Sequence, residues 1–104
     1  GYPSVRIDKR GMFGSVSAES DPNDATTASY GDDLLAWTTA IRRRLPAKDG
    51  PRCVIPIGHS EGGLVALAAV ARIPDACALI LIASIGRSLD EVIREQLRAN
   101  PANA

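Results

Sequence analysis

The sequence predicts an α/β domain, a parallel sheet in β-α-β-α-β-α order. Three observations predict it. Two short runs, residues 52–58 and 78–83, are apolar almost throughout, the mark of strands covered on both faces of a parallel sheet. Helix-length stretches with apolar spacings of three and four lie before, between and after those runs. Strands alternating with helices in this way belong to parallel sheets with right-handed crossovers.

Residues 4–8, Ser-Val-Arg-Ile-Asp, alternate polar and apolar positions with β-branched side chains and read as the first strand. Residues 9–24 hold Gly11, Gly14 and Pro22 among serines and acids, so they read as a loop. A helix is expected over 27–45, where Tyr30, Leu34, Trp37, Ile41 and Leu45 form one apolar stripe facing the core. Asp32 and Asp33 sit early in it, and Arg42, Arg43 and Arg44 late, as the helix dipole favours. The arginines are expected to be a solvated end. Pro46 stops the helix, and Asp49-Gly50-Pro51 forms a turn.

The run at 52–58 is the second strand, although Pro56 donates no ladder hydrogen bond. The helix over 61–72 is apolar nearly all round, from Leu64 to Ala71, and is expected to be buried. Pro74 and Asp75 turn the chain into the third strand at 78–83. Ser88-Leu89-Asp90-Glu91 has the form of a capping box. The last helix carries Leu89, Val92, Ile93 and Leu97 on one side and stops before Pro101.

Composition narrows the function classes. The 104 residues are 45% apolar and 23% charged, with 12 basic and 12 acidic side chains that cancel. A nucleic-acid footprint would need a basic stripe, which is missing. The longest apolar stretches fall short of the roughly 20 residues of a membrane span. No repeat, low-complexity tract or signal peptide is visible, and the compartment stays open with the cytoplasm as the default. The chain begins at Gly1, so it is expected to be an excerpt of a longer one. Its 2 cysteines have no CxxC spacing, and no metal or cofactor is expected.

Gly58-His59-Ser60-Glu61-Gly62 fits G-x-S-x-G, with Gly63 next, and it falls where an apolar strand meets an apolar helix. A nucleophile elbow needs that junction. Ser60 would sit in a strained turn with its hydroxyl exposed above the carboxyl end of the strand, while Gly58 and Gly62 avoid clashes. The plainer explanation is a glycine-rich turn that binds a phosphate or nothing. The sequence lacks the G-x-G-x-x-G spacing and the lysine of a P-loop that would favour phosphate.

Two blocks carry a family resemblance. Arg6-Ile7-Asp8-Lys9-Arg10-Gly11-Met12-Phe13-Gly14-Ser15 looks like the D-x-R-G-x-G-x-S turn after the fourth strand of the α/β-hydrolase superfamily. Gly58-His59-Ser60-Glu61-Gly62-Gly63 looks like its elbow after the fifth. The chain therefore resembles that superfamily, and within it the bacterial serine-aminopeptidase-like hydrolases. It departs by an extra residue in Gly11-Met12-Phe13-Gly14. The resemblance covers nearly the whole chain but only the middle of the family's domain. Residues 1–104 are thus expected to form a partial α/β-hydrolase domain, with 88–100 as the start of a helical lid.

The resemblance implies a serine hydrolase acting on an ester, thioester, amide or short peptide through an acyl-enzyme. Ser60 would be the catalytic nucleophile, the Glu61 backbone N–H an oxyanion donor, and Gly58, Gly62 and Gly63 the elbow glycines. The second donor, the acid and the histidine would lie outside these residues. His59, the sole histidine, points away from the nucleophile's face on this reading. Asp75 falls at the wrong end of the sheet, and Asp90 reads as an early helix carboxylate. The alternative is a degenerate hydrolase fold used for packing or binding. A dinucleotide-binding domain would need a glycine fingerprint where this first strand ends in Asp8-Lys9-Arg10. Oligomeric state stays open.

The remaining conspicuous residues have local expectations. Asp8 and Arg10 should make a salt bridge or turn hydrogen bond, and Trp37 should pack in the core. The Glu61 side chain either borders a substrate amine or favours the helix N-terminus. Cys53 and Cys77 head strands that the family pairs side by side. Two reduced, buried thiols are expected there, with a disulfide as the alternative.

Overall fold

The strand–helix–strand unit in the middle of the sequence organises the chain. Strands β1 (Ile57–His59) and β2 (Ile80–Ile82) pair in parallel, Ile57 opposite Ile80, Gly58 opposite Leu81 and His59 opposite Ile82. Between them run α2 (Glu61–Ala69) and its 3-10 extension Val70–Arg72. Before and after lie α1 (Thr27–Arg44) and α3 (Leu89–Ala99). The structure is a computed structural model describing residues 2–45 and 53–103, so Pro46, Arg52 and the turn expected at Asp49-Gly50-Pro51 lie outside the described residues. The α/β class with a parallel sheet is as the sequence predicts.

Pro56 explains why β1 is shorter than expected. Its ring nitrogen cannot donate, so the ladder lapses there. Upstream, Val54 bridges Ala76, its N–H donating to the Asp75 carbonyl while the Cys77 N–H donates to Val54. Downstream, the Ile80 N–H donates to the Pro56 carbonyl. Between these points the register slips by one residue, a bulge on the β2 side.

The first strand is a correction. Residues 4–8 are exposed and form no strand, because alternation alone supplies no partner for the backbone hydrogen bonds. The loop that follows contains 3-10 turns at Phe13–Ala18 and Pro22–Asp24. α1 starts at a capping box that sequence reasoning missed: Ser29 N–H donates to the Thr26 hydroxyl, and Thr26 N–H donates to the Ser29 hydroxyl. The box expected at Ser88 is not made, since Ser88 stands at the N-cap of α3 without a side-chain capping bond.

The core is small: Val65, Ala66 and Ala69 of α2, with Ile73. α1 buries Gly31 and Thr38, while of the expected stripe Tyr30, Leu34 and Ile41 are half-buried and Trp37 and Leu45 exposed. Gly31 faces Ala69, and a β-carbon there would lie 3.7 Å from that of Ala69, an ordinary contact. Trp37 is left 41% exposed, against the expectation of core packing. Nor are the strands and α2 covered all round. Ile57 is 62% exposed, and Ile80, Leu81, Ile82 and Leu67 are exposed too. α3 has no buried residue and stands off the body, which makes the molecule elongated at 58 × 30 × 24 Å.

Cross-links tie the elements together. Arg42 is half-buried and grips Asp75 from Nε at 2.7 Å and from Nη2, so the arginine run is not wholly solvated. Cys53 and Cys77 are exposed and bonded as a disulfide with Cα atoms 5.4 Å apart, in place of the reduced, buried thiols expected. Among the described residues no helix is long and apolar enough to cross a membrane.

Candidate active site at the strand–helix junction

β1 ends and α2 begins at one residue. Ser60 has φ 53° and ψ −122°, a region that a side chain avoids unless its surroundings enforce it. The enforcement is visible on both sides. The Ser60 N–H donates to the Ile82 carbonyl at 3.0 Å, extending the ladder past β1. Its carbonyl accepts from the Gly63 N–H at 3.0 Å, closing the first turn of α2. Pinned between sheet and helix, the residue projects at an exposed strand-to-helix corner.

The glycines divide into two that the turn requires and one that it does not. A β-carbon on Gly58 would fall 2.4 Å from the Gly62 carbonyl oxygen and 2.5 Å from the Gly63 α-carbon. One on Gly63 would fall 2.1 Å from Ser84 Oγ and 2.6 Å from Ser84 Cβ. Gly62, expected to relieve a clash, meets nothing within 4 Å. The crowding lies between β1 and the start of α2 at Gly58 and between α2 and the chain after β2 at Gly63, whereas Gly62 faces neither. Sequence spacing alone did not separate these cases.

His59 is exposed, and strand alternation from buried Gly58 puts it on the sheet face away from α2. Asp75 is held by Arg42 at the far end of the strands, and Asp90 lies 3.9 Å from Arg94 one helical turn on. Neither is brought to Ser60.

The loop of residues 8–19 folds against the same end. Gly11 at φ 77° donates to the Ser15 carbonyl, and the Gly14 N–H donates to Asp8 Oδ2 at 3.2 Å, the turn hydrogen bond expected of Asp8. Phe13, also in this loop, stands at φ 46°, a left-handed conformation for an exposed side chain. Arg10 does not pair with Asp8. It grips Asp33 of α1 through Nη2 at 2.6 Å and Nε at 2.8 Å, with Glu19 beside it, and the Asp33 hydrogen bond raises its already high pKa further. Thus fixed, the loop presents Lys9, whose Nζ donates to Glu61 Oε2 at 2.7 Å and lies 5.0 Å from the centre of the Tyr30 ring. Sequence reasoning missed Lys9. Its opposite charge to Glu61 was legible, but 52 positions separate the two.

Ser60 and Glu61 open onto a cleft of about 700 Å³ between the junction and α3. Ile85 and the apolar side of α3 (Leu89, Val92 and Ile93) supply much of its wall. The chemistry available is an exposed hydroxyl at a braced turn, a helix N-terminus directly behind it and an apolar wall in front. Among the described residues, no group of histidine, cysteine and carboxylate side chains could hold a metal ion.

No curated protein and no solved structure matches the chain. The family model described as "Alpha/beta hydrolase family" matches residues 1–104. A match over that span, on a chain whose parallel strands meet a helix in this way, makes the protein a member of the alpha/beta hydrolase family.

Proposed function

We propose that this hydrolase-family chain carries the nucleophile of a serine hydrolase, Ser60, acting on an ester, thioester or small peptide. The observation that carries the reading is the backbone of Ser60, strained at φ 53° between a ladder bond and a helix turn. Such strain persists where surrounding structure over-determines it, and it concentrates at functional sites.

In this mechanism Ser60 Oγ attacks the substrate carbonyl carbon as a general base removes its proton. The carbonyl oxygen gains negative charge and takes a hydrogen bond from the Glu61 N–H. That N–H is the first of α2, a nine-residue helix whose dipole favours negative charge at this end. The protonated base then donates to the leaving group, and the acyl-enzyme is released by water. His59 faces the other side of the sheet, so the reading requires a base other than His59. A degenerate, purely packing module would gain nothing from a strained and exposed serine.

The test is labelling of the full-length protein with a fluorophosphonate probe, followed by peptide mapping. Modification should map to Ser60, and Ser60→Ala should lower ester turnover by about 10⁴-fold or more. A variant retaining a tenth of the rate would exclude the assignment.

A further inference from the structure

The charged side chains that line the cleft are Glu61 and Arg87, and both already hold partners. Glu61 is taken by Lys9, whose ammonium is further held over the Tyr30 ring. Arg87 Nη2 donates to Glu95 Oε2 on α3. Between these pairs the wall is Ile85, Leu89, Val92 and Ile93 with small or neutral side chains.

We propose that the cleft selects uncharged acyl groups, with Lys9 and Glu95 as the specificity-determining residues that neutralise its charged walls. The proposal rests on the reading of Ser60 as nucleophile. A substrate ammonium reaching Glu61 meets a carboxylate whose charge Lys9 already offsets, and a carboxylate reaching Arg87 meets a guanidinium whose charge Glu95 already offsets. Either contact is with a net-neutral pair and returns little for the hydration the substrate charge gives up. An alkyl chain meets the apolar wall without that loss. The Glu61 carboxylate is therefore not an anchor for a substrate amine, which sets the site apart from an aminopeptidase.

The experiment first checks, on a separate sample, that a fluorophosphonate labels Ser60, and then compares p-nitrophenyl esters of hexanoic acid, adipic acid and γ-trimethylammoniobutyric acid on unlabelled full-length protein. The hexanoyl ester should have the highest kcat/KM. Lys9→Met should raise kcat/KM for the cationic ester about fivefold relative to the hexanoyl ester, mostly through KM. Lys9→Arg should restore the wild-type ratio. Glu95→Gln should favour the adipoyl ester in the same manner. Combining Lys9→Met with Glu61→Gln should abolish the gain for the cation. Should Lys9→Met not fold, the Glu95→Gln arm decides, because Glu95 is exposed on α3. Ratios unmoved in unlabelled protein, when the separate sample takes the label at Ser60, overturn the proposal alone. A wild type not labelled at Ser60 overturns the nucleophile reading, and this proposal with it.

Discussion

A serine at φ 53° is held against its own preference, and that cost can be measured. Glycine populates positive φ as readily as negative, so Ser60→Gly should stabilise the protein by about 1 kcal/mol or more. A urea melt would show the midpoint rising, and an unchanged or lower midpoint would show the strain to be illusory. The glycines around it make a second prediction. Gly58→Ala and Gly63→Ala place a methyl group within 2.7 Å of backbone or Ser84 atoms, so each should cost about 1–3 kcal/mol. Gly62→Ala meets open space inside α2 and should be neutral or stabilising by up to about 1 kcal/mol. The three melts rank the positions directly, and a Gly62 variant as damaged as the others would contradict the geometry.

At the scale of elements, the loop before α1 is held by one guanidinium. Arg10 fixes it to Asp33 and Glu19, and its pKa is pushed further up, first by the Asp33 hydrogen bond. A folded-state pKa raised above the unfolded value gives stability that is present below the unfolded value and lost only above it. The clamp should therefore hold unchanged from about pH 7 to about pH 11, far below where any arginine titrates. Arg10→Lys would break the forked geometry and should speed protease cleavage within residues 11–19. The lysine would also introduce a loss of stability above about pH 10, near its ordinary titration. Equal cleavage rates in variant and wild type would remove Arg10 from this role. The same clamp sets where Lys9 reaches, so α1 governs the cleft mouth from a distance.

Across the whole molecule, the exposed strands and the small core leave covalent cross-linking with a large share of the stability. The Cys53–Cys77 bridge closes a loop with a sequence separation of 24 residues, enclosing β1 and α2. Constraining such a loop in the unfolded chain is worth about 3 kcal/mol. Cys53→Ser should lower stability by about that amount in a urea melt without reductant. Intact-mass analysis should find the oxidised chain lighter than the reduced one by a pair of hydrogens. Two thiols open to alkylation in the unreduced protein would dismiss the bridge.

The sequence by itself determined the elements whose signals are local. α1 and α3 follow apolar spacing, prolines end or interrupt segments, and the G-x-S-x-G run marks the junction where Ser60 is strained. Pro56 even announced the lapse in the ladder, because the missing donor is a property of the residue itself. The tertiary structure decided everything that needs a partner. Alternation at 4–8 promised a strand, but strands exist only in pairs, and none formed. The stripe through Trp37 promised a core face, yet the α1 residues that become buried are Gly31 and Thr38, while Trp37 and Leu45 stay exposed. Lys9 stands beside Glu61 on a loop that Arg10 ties to α1, a contact across 23 positions that no local pattern encodes. Local physics fixes which residues turn, coil or extend, while burial and ion pairing depend on what the rest of the chain brings to them.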